Sequence, residues 1–160
     1  MTATRPCRIG SGAGYAGDRI DPAVALAERG ELDVLVFECL AERTIALAQL
    51  RRQHDPDAGY DPMLRDRLRA VLPACAARGV TVISNMGAAN PMAAGRAAIE
   101  VARGLGLQRL RVAVVTGDDV LGWIRTHDAP LLDRLDGAAR AGDLGERLIS
   151  ANAYLGADAL

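Results

Sequence analysis

The residues with chemical potential gather in polar loops. The first reads Gly10-Ser11-Gly12-Ala13-Gly14-Tyr15-Ala16-Gly17-Asp18-Arg19. Glycines 12, 14 and 17 satisfy GxGxxG, and Glu38 follows about 20 residues on, as in a dinucleotide fingerprint. That fingerprint needs a helix opening among the glycines, so that its N-terminus meets the pyrophosphate. Asp21-Pro22 instead places the helix start after Gly17, and Asp18 sets a carboxylate where phosphates would lie. Three readings stay open: an NAD(P) or FAD site, a glycine loop holding another ligand through the amides of Gly12 and Gly14, and a purely structural loop.

Glu38 and Glu42 are spaced i,i+4, which on a helix puts both carboxylates on one face. Together they could share a proton for acid–base work or bind a divalent metal. Against that stands a solvated helix start, where acids favour the macrodipole. Cys39, beside Glu38, occupies a place where a nucleophile could be held. Ser84-Asn85-Met86-Gly87-Ala88-Ala89-Asn90-Pro91 supplies two amides. Asn90 has a structural duty as a helix cap, whereas Asn85 has none and could bind a carbonyl or carboxylate. Gly117-Asp118-Asp119 reads equally as a turn with a cap or as a metal or hydroxyl ligand. His54 and His127 stand in polar stretches without a motif.

These loops need elements to position them. Short apolar runs at Cys7–Gly10, Asp33–Phe37, Val80–Ser84, Arg111–Thr116 and, more weakly, Leu148–Ala151 read as about five strands of a parallel sheet covered on both faces. Helices fall between them: Asp21 to Gly30, Leu40–Gln53, one opened by Asp61-Pro62 and interrupted or kinked at Pro73, one from Asn90-Pro91 to about Gly104 or Gly106, one over Asp128–Ala141 and one begun at Ala153–Leu160. The Leu40–Gln53 helix carries an apolar face of Leu40, Ile45, Leu47, Ala48 and Leu50. Gln53–Tyr60 has the composition of a mobile or surface loop. The alternation predicts a single α/β domain over residues 1–160, Rossmann-like, with the first half of a βα barrel as the alternative. In an open parallel sheet the ligand sits beyond the carboxyl ends of the strands, where these polar residues fall.

Composition narrows the classes. Half of the 160 residues are apolar and the net charge is −1, which fits a folded domain. There is no basic stripe, so nucleic acid is not an expected partner. Every cationic side chain is Arg, and the absence of Lys excludes a Schiff-base lysine and a lysine-dependent P-loop. Cys7, Cys39 and Cys75 make no metal or disulfide spacing and read as reduced thiols. Apolar runs are far shorter than the roughly 20 residues of a membrane span. Met1 to Pro6 lacks an apolar core, so the expectation is a cytoplasmic protein without a membrane partner.

The runs IGSGAGYAGDR, LDVLVFECLAERTIA, ISNMGAANP, VAVVTGDD and ISANAYLGAD, in that order, resemble the acyclic terpene utilization AtuA-like family over almost the whole chain. Phe37-Glu38-Cys39 departs from a more usual Gly-Asp-Tyr-like stretch. The resemblance implies an N-terminal portion of a longer protein that works in breakdown of acyclic terpenes or branched carboxylic acids through acyl-CoA intermediates. It also implies a missing C-terminal part or a small companion domain as partner, beside a small carboxylate or acyl-CoA; a homo-oligomer fits as well. The leading reading is hydratase or lyase chemistry, with Asp18, Glu38 or Asp118 as acid or base. Gly12, Gly14, Arg19, Glu42, Asn85, Gly87, Asn90, Gly117, Asp119 and Asn152 would hold the ligand, with or without a divalent metal. The alternatives are a nicotinamide- or flavin-dependent oxidoreductase and a non-catalytic, partner-binding subunit.

Overall fold

The computed structural model describes residues 5–132 and 139–158. Their contacts divide into two units, Met1–Val114 and Val115–Leu160.

The first unit is a βα array. Strand β1 (Ile9–Ala13) leads to helix α1 (Asp21–Arg29), strand β2 (Val34–Phe37), helices α2 (Glu42–His54) and α3 (Leu64–Arg78), strand β3 (Thr81–Ser84) and helix α4 (Pro91–Gly104). The strands form a parallel sheet in the order β1-β2-β3, with Val34 opposite Ile9 on one side and Thr81 on the other. Both crossovers step in one direction. Right-handed connections therefore put α1 and α3 on the same face, where they pack against each other, with α4 on the far side of α3. Leu35 and Phe37 of β2 point into that core with Val71, Leu72, Cys75, Ala23 and Ala27, while Val34 and Val36 are half-buried.

The sequence reading of a parallel α/β sheet holds, and its strand number does not. Among the described residues the sheet has three strands. Arg111–Thr116 belongs to no ladder, with Arg111, Ala113 and Val115 exposed. Its β-branched residues satisfy strand propensity, but a strand needs a hydrogen-bonded neighbour. Val114 packs instead against helix α4, its methyl group 2.6 Å from where a side chain on Gly95 would begin. Leu148–Ala151 likewise forms no strand; the chain makes one isolated antiparallel bridge just after it, Asp119 to Asn152.

Helix α2 begins at Glu42, not Leu40, and of its expected apolar face Ala48 alone is buried; Leu47 is exposed. Helix α3 runs unbroken through Pro73. The proline is exposed, so the carbonyl it leaves unbonded can turn to water, while Leu68, Val71, Leu72 and Cys75 hold the helix to the core. Gln53–Tyr60 is pinned rather than loose. Asn90 Nδ2 donates to Pro56 O at 2.8 Å and to Ala58 O at 2.7 Å, and Arg96 pairs with Asp57 at 2.9 Å.

In the second unit, helices α5 (Leu121–Thr126) and α6 (Ala141–Leu144) are followed by a 3-10 turn, Gly145–Arg147. The helix expected over Asp128–Ala141 is not formed at either described end, and residues 133–138 lie outside the described residues. Pro130 and Arg140 bridge antiparallel, and Leu131 N–H donates to Ala139 O at 2.8 Å. Backbone groups committed across that bridge are lost to a helix. Residues 153–158 of the expected terminal helix are not helical, and residues 159 and 160 lie outside the described set.

Candidate functional site

The carboxyl ends of β1, β2 and β3 carry polar residues that form the candidate site. At the end of β1 the chain must turn over Phe37, which is fully buried. A β-carbon on Gly12 would stand 2.7 Å from the Phe37 ring, so glycine is required there by close approach. The loop then closes on Asp18. One carboxylate oxygen accepts from Gly14 N–H and the other from Arg19 N–H, both at 2.9 Å. These two backbone donors, Gly14 first, hold the Asp18 carboxyl below its ordinary range. Arg19 reaches away to Asp21, its Nε 2.9 Å from Oδ1. Helix α1 starts at Asp21, past the glycines, and the Gly14 N–H already serves Asp18. The GxGxxG spacing is therefore present without the helix N-terminus that would meet a pyrophosphate.

At the ends of β2 and β3, Glu38 and Asn85 meet. Asn85 Nδ2 donates to Glu38 Oε1 at 3.0 Å, while its Oδ1 accepts from Cys39 N–H at 2.7 Å. Glu38 Oε1 also accepts from Leu40 N–H at 2.9 Å. Glu38 is exposed, and among the described residues its Oε2 takes no hydrogen bond. The in-register pairing of Phe37 with Ser84 is what brings the two residues together across the strands. Glu42 does not join them. Glu38 precedes helix α2, so the i,i+4 face assumed from the spacing does not exist; Glu42 sits exposed in the first helical turn.

Cys39 is buried, and its burial pushes the thiol up to about 11. It stays a neutral thiol near pH 7 and is not an activated nucleophile. Arg67 acts on it in the opposite sense to burial, and the Asp61, Glu38 and Asp18 carboxyls act in the same sense.

Asn90 is fully committed. It caps α4 through Oδ1, which accepts from Ala93 N–H at 3.2 Å, and its amide nitrogen ties down the Asp55–Tyr60 loop. Gly87 lies in the turn between, where its carbonyl accepts from Asn90 N–H at 2.9 Å.

The second unit brings its own expected residues together. Asp118 Oδ2 accepts from Asn152 Nδ2 at 2.9 Å, and Asp118 O accepts from Ala153 N–H at 2.7 Å. Asp119 Oδ1 accepts from Leu121 N–H at 3.1 Å, at the start of α5. Gly117 turns the chain at φ 119, a conformation open to glycine and strained for any side chain.

Sequence reasoning missed Asp61 and Arg67. Arg67 is completely buried in α3, and Asp61 is 5% exposed just before it. Arg67 Nη2 donates to two carbonyls of the glycine loop, Ala16 O at 3.0 Å and Asp18 O at 2.8 Å. Its guanidinium lies 5.9 Å from the centre of the Phe37 ring. Asp61 Oδ1 accepts from Met63 N–H at 2.7 Å, and burial raises the Asp61 carboxyl above its ordinary range. The signal was present in the spacing: Leu64, Arg67, Leu68, Val71, Leu72 and Cys75 form one helical stripe, and Arg67 is its charged member.

Among the described residues no group of three or more His, Cys, Asp or Glu is arranged to hold a metal ion. No helix among them is long and apolar enough to cross a membrane.

Comparison with known proteins adds a family. No curated protein and no solved structure matches the chain. The family model described as acyclic terpene utilisation family protein AtuA matches residues 7–160, which takes in the glycine loop, the Glu38–Asn85 pair and the Asp118–Asn152 pair. The chain therefore belongs to the AtuA family of acyclic terpene utilisation.

Proposed function

We propose that this chain is an enzyme domain in the breakdown of acyclic terpenes or branched carboxylic acids, adding water to, or removing it from, an acyl-CoA or carboxylate. The family supplies the metabolic setting. The observation that carries the chemistry is the Glu38–Asn85 pair, which fixes one oxygen of an exposed carboxylate and leaves the other open. A general base must be oriented yet retain a lone pair for the substrate proton. Of the three carboxylates considered, Asp18 has both oxygens occupied; Asp118, like Glu38, has one oxygen bonded to an Asn amide, but it belongs to a loop of the second unit and not to a strand end of the parallel sheet. Glu38 is the acid–base residue in this reading.

In the hydration direction, Glu38 takes a proton from water as its oxygen bonds to the β-carbon of a conjugated acyl group. The double-bond electrons pass to the acyl oxygen, which accepts a hydrogen bond from the second N–H of the Asn85 amide. Protonated Glu38 then returns its proton at the α-carbon. A C-terminal part or a small companion domain would complete the substrate enclosure.

The test is turnover of branched, unsaturated acyl-CoAs and free acids by the full-length protein and by Glu38→Gln. Loss of hydration and dehydration in the variant, with its fold kept, supports the reading. Full turnover by Glu38→Gln, or by Asp18→Ala, Glu38→Ala and Asp118→Ala combined, ends it.

A further inference from the structure

The glycines of the first loop meet no pyrophosphate at a helix N-terminus, so their spacing needs another cause. Backbone conformation does not supply it, since none of Gly12, Gly14 and Gly17 has a positive φ. Close approach of an aromatic ring accounts for two of them. Gly12 yields to Phe37, inside the core. Gly17 yields to Tyr15, outside it: a β-carbon on Gly17 would stand 2.9 Å from Tyr15 Cε2. Tyr15 is 60% exposed, and among the described residues its hydroxyl has no hydrogen-bond partner. The loop that carries the ring is fixed from below. Buried Arg67 donates to Ala16 O and Asp18 O, Ala16 packs on the core, and Asp18 N–H donates to Tyr15 O at 3.1 Å. Tyr15 lies two residues past Ala13, whose carbonyl accepts from Glu38 N–H at 3.2 Å. An aromatic ring left open on a pinned loop at the carboxyl edge is apolar surface suited to a ligand.

We infer that Tyr15 contacts the hydrocarbon chain of the substrate and sets the preferred chain length. The Tyr15 ring packs on an aliphatic chain whose acyl head lies at Glu38. Affinity from apolar contact grows with the area removed from water, so a longer chain gains more than a short one. The ring carries this contact and the hydroxyl does not. Gly17 is a positioning residue that acts through Tyr15. A methyl group there would push aside the ring, a side chain free to turn, without straining the backbone. The inference rests on the proposed function for an acyl ligand at the Glu38 edge, and uses none of its acid–base chemistry.

The experiment is calorimetric titration of the full chain with octanoate and butanoate, each as the free acid and as the CoA thioester. These saturated ligands undergo no hydration, so binding is read apart from turnover. Tyr15→Ala should weaken the octanoyl ligand by about tenfold and the butanoyl ligand by less than about threefold. Tyr15→Phe, which keeps the ring, should bind both as the unsubstituted chain does. Gly17→Ala should weaken the octanoyl ligand in the same sense, with the urea midpoint unchanged. Glu38→Gln should keep the chain-length preference, so failure of the acid–base reading and failure of this one are distinguishable. If Tyr15→Ala does not fold, by circular dichroism, Gly17→Ala and Tyr15→Phe decide. Equal loss for both chain lengths, a loss in Tyr15→Phe as large as in Tyr15→Ala, unchanged octanoyl binding in Tyr15→Ala, or no saturable binding of any of the four ligands overturns the inference.

Discussion

Asp18 and Glu38 stand at the ends of adjacent strands and are held in opposite ways. The Asp18 carboxylate is closed on itself: both oxygens accept from N–H groups of its own loop, within four residues. Glu38 is held across the sheet, by an amide 47 positions away, and on one oxygen. A local bond shapes a loop whatever else the fold does. A bond across strands forms only when the sheet is in register, so it orients its carboxylate as a property of the folded domain. The first arrangement suits a turn, and the second suits a reactive group that must be placed yet remain available.

The largest effect expected is on turnover. Glu38→Gln should lower kcat by about 10²–10⁴, the range for loss of a general acid–base group, while Asp18→Asn leaves more than a tenth of it. Steady-state kinetics on the two variants checks the comparison directly. A greater fall in kcat for Asp18→Asn would reverse the roles.

Next comes the support of the β1 loop. Gly12→Ala should destabilise the fold by about 1–3 kcal/mol, the range for forcing extra volume into a packed core, because its β-carbon meets the Phe37 ring at 2.7 Å. Urea unfolding measures it. A neutral result would mean that Phe37 yields, and that the glycine loop is not shaped by this contact.

A smaller change follows from the amide. Asn85→Ala removes the donor to Glu38 and the acceptor for Cys39 N–H. A loss of about 1–2 kcal/mol of stability and about tenfold in kcat is expected, from one freed backbone donor and a less constrained carboxylate. Stability loss with unchanged kcat would show that Glu38 does not depend on Asn85 for its placement.

Much of this was legible in the residues. The second and third strand runs, the Asn90-Pro91 cap of α4 and the helix start after Gly17 follow from apolar runs, capping chemistry and proline position, all of them local; the first run was displaced, since β1 is Ile9–Ala13 rather than Cys7–Gly10 and so takes in the start of the glycine loop. The GxGxxG spacing was legible too, and so was its misfit, because Asp21-Pro22 fixes where α1 begins. What failed depended on partners distant in sequence. Arg111–Thr116 has strand-forming residues, and no local signal tells whether a neighbour will pair with it. Glu38 and Glu42 have helical spacing, but the β2–β3 pairing extends the strand to Phe37 and leaves Glu38 outside the helix. Arg67 was hidden by number, one of 19 cationic residues, although its place on the apolar stripe of α3 marked it.

The finest test contrasts Asp18 with Asp61 by the sign of their pH dependence. Hydrogen bonds from Gly14 and Arg19 lower the folded-state pKa of Asp18. The unfolded chain then binds the proton more readily, so stability from Asp18 is present above its unfolded pKa and is lost as pH falls through the folded value. Burial raises the folded-state pKa of Asp61. Here the folded chain holds the proton more tightly; the contribution is complete below the unfolded pKa and is lost as pH rises through the folded one. In urea midpoints taken against pH, Asp18→Asn should flatten the acid limb, and Asp61→Asn should flatten the decline that begins as pH climbs past the ordinary carboxylate range. If Asp61→Asn instead flattens the acid limb, Asp61 is an ionised partner of Arg67 in the folded protein.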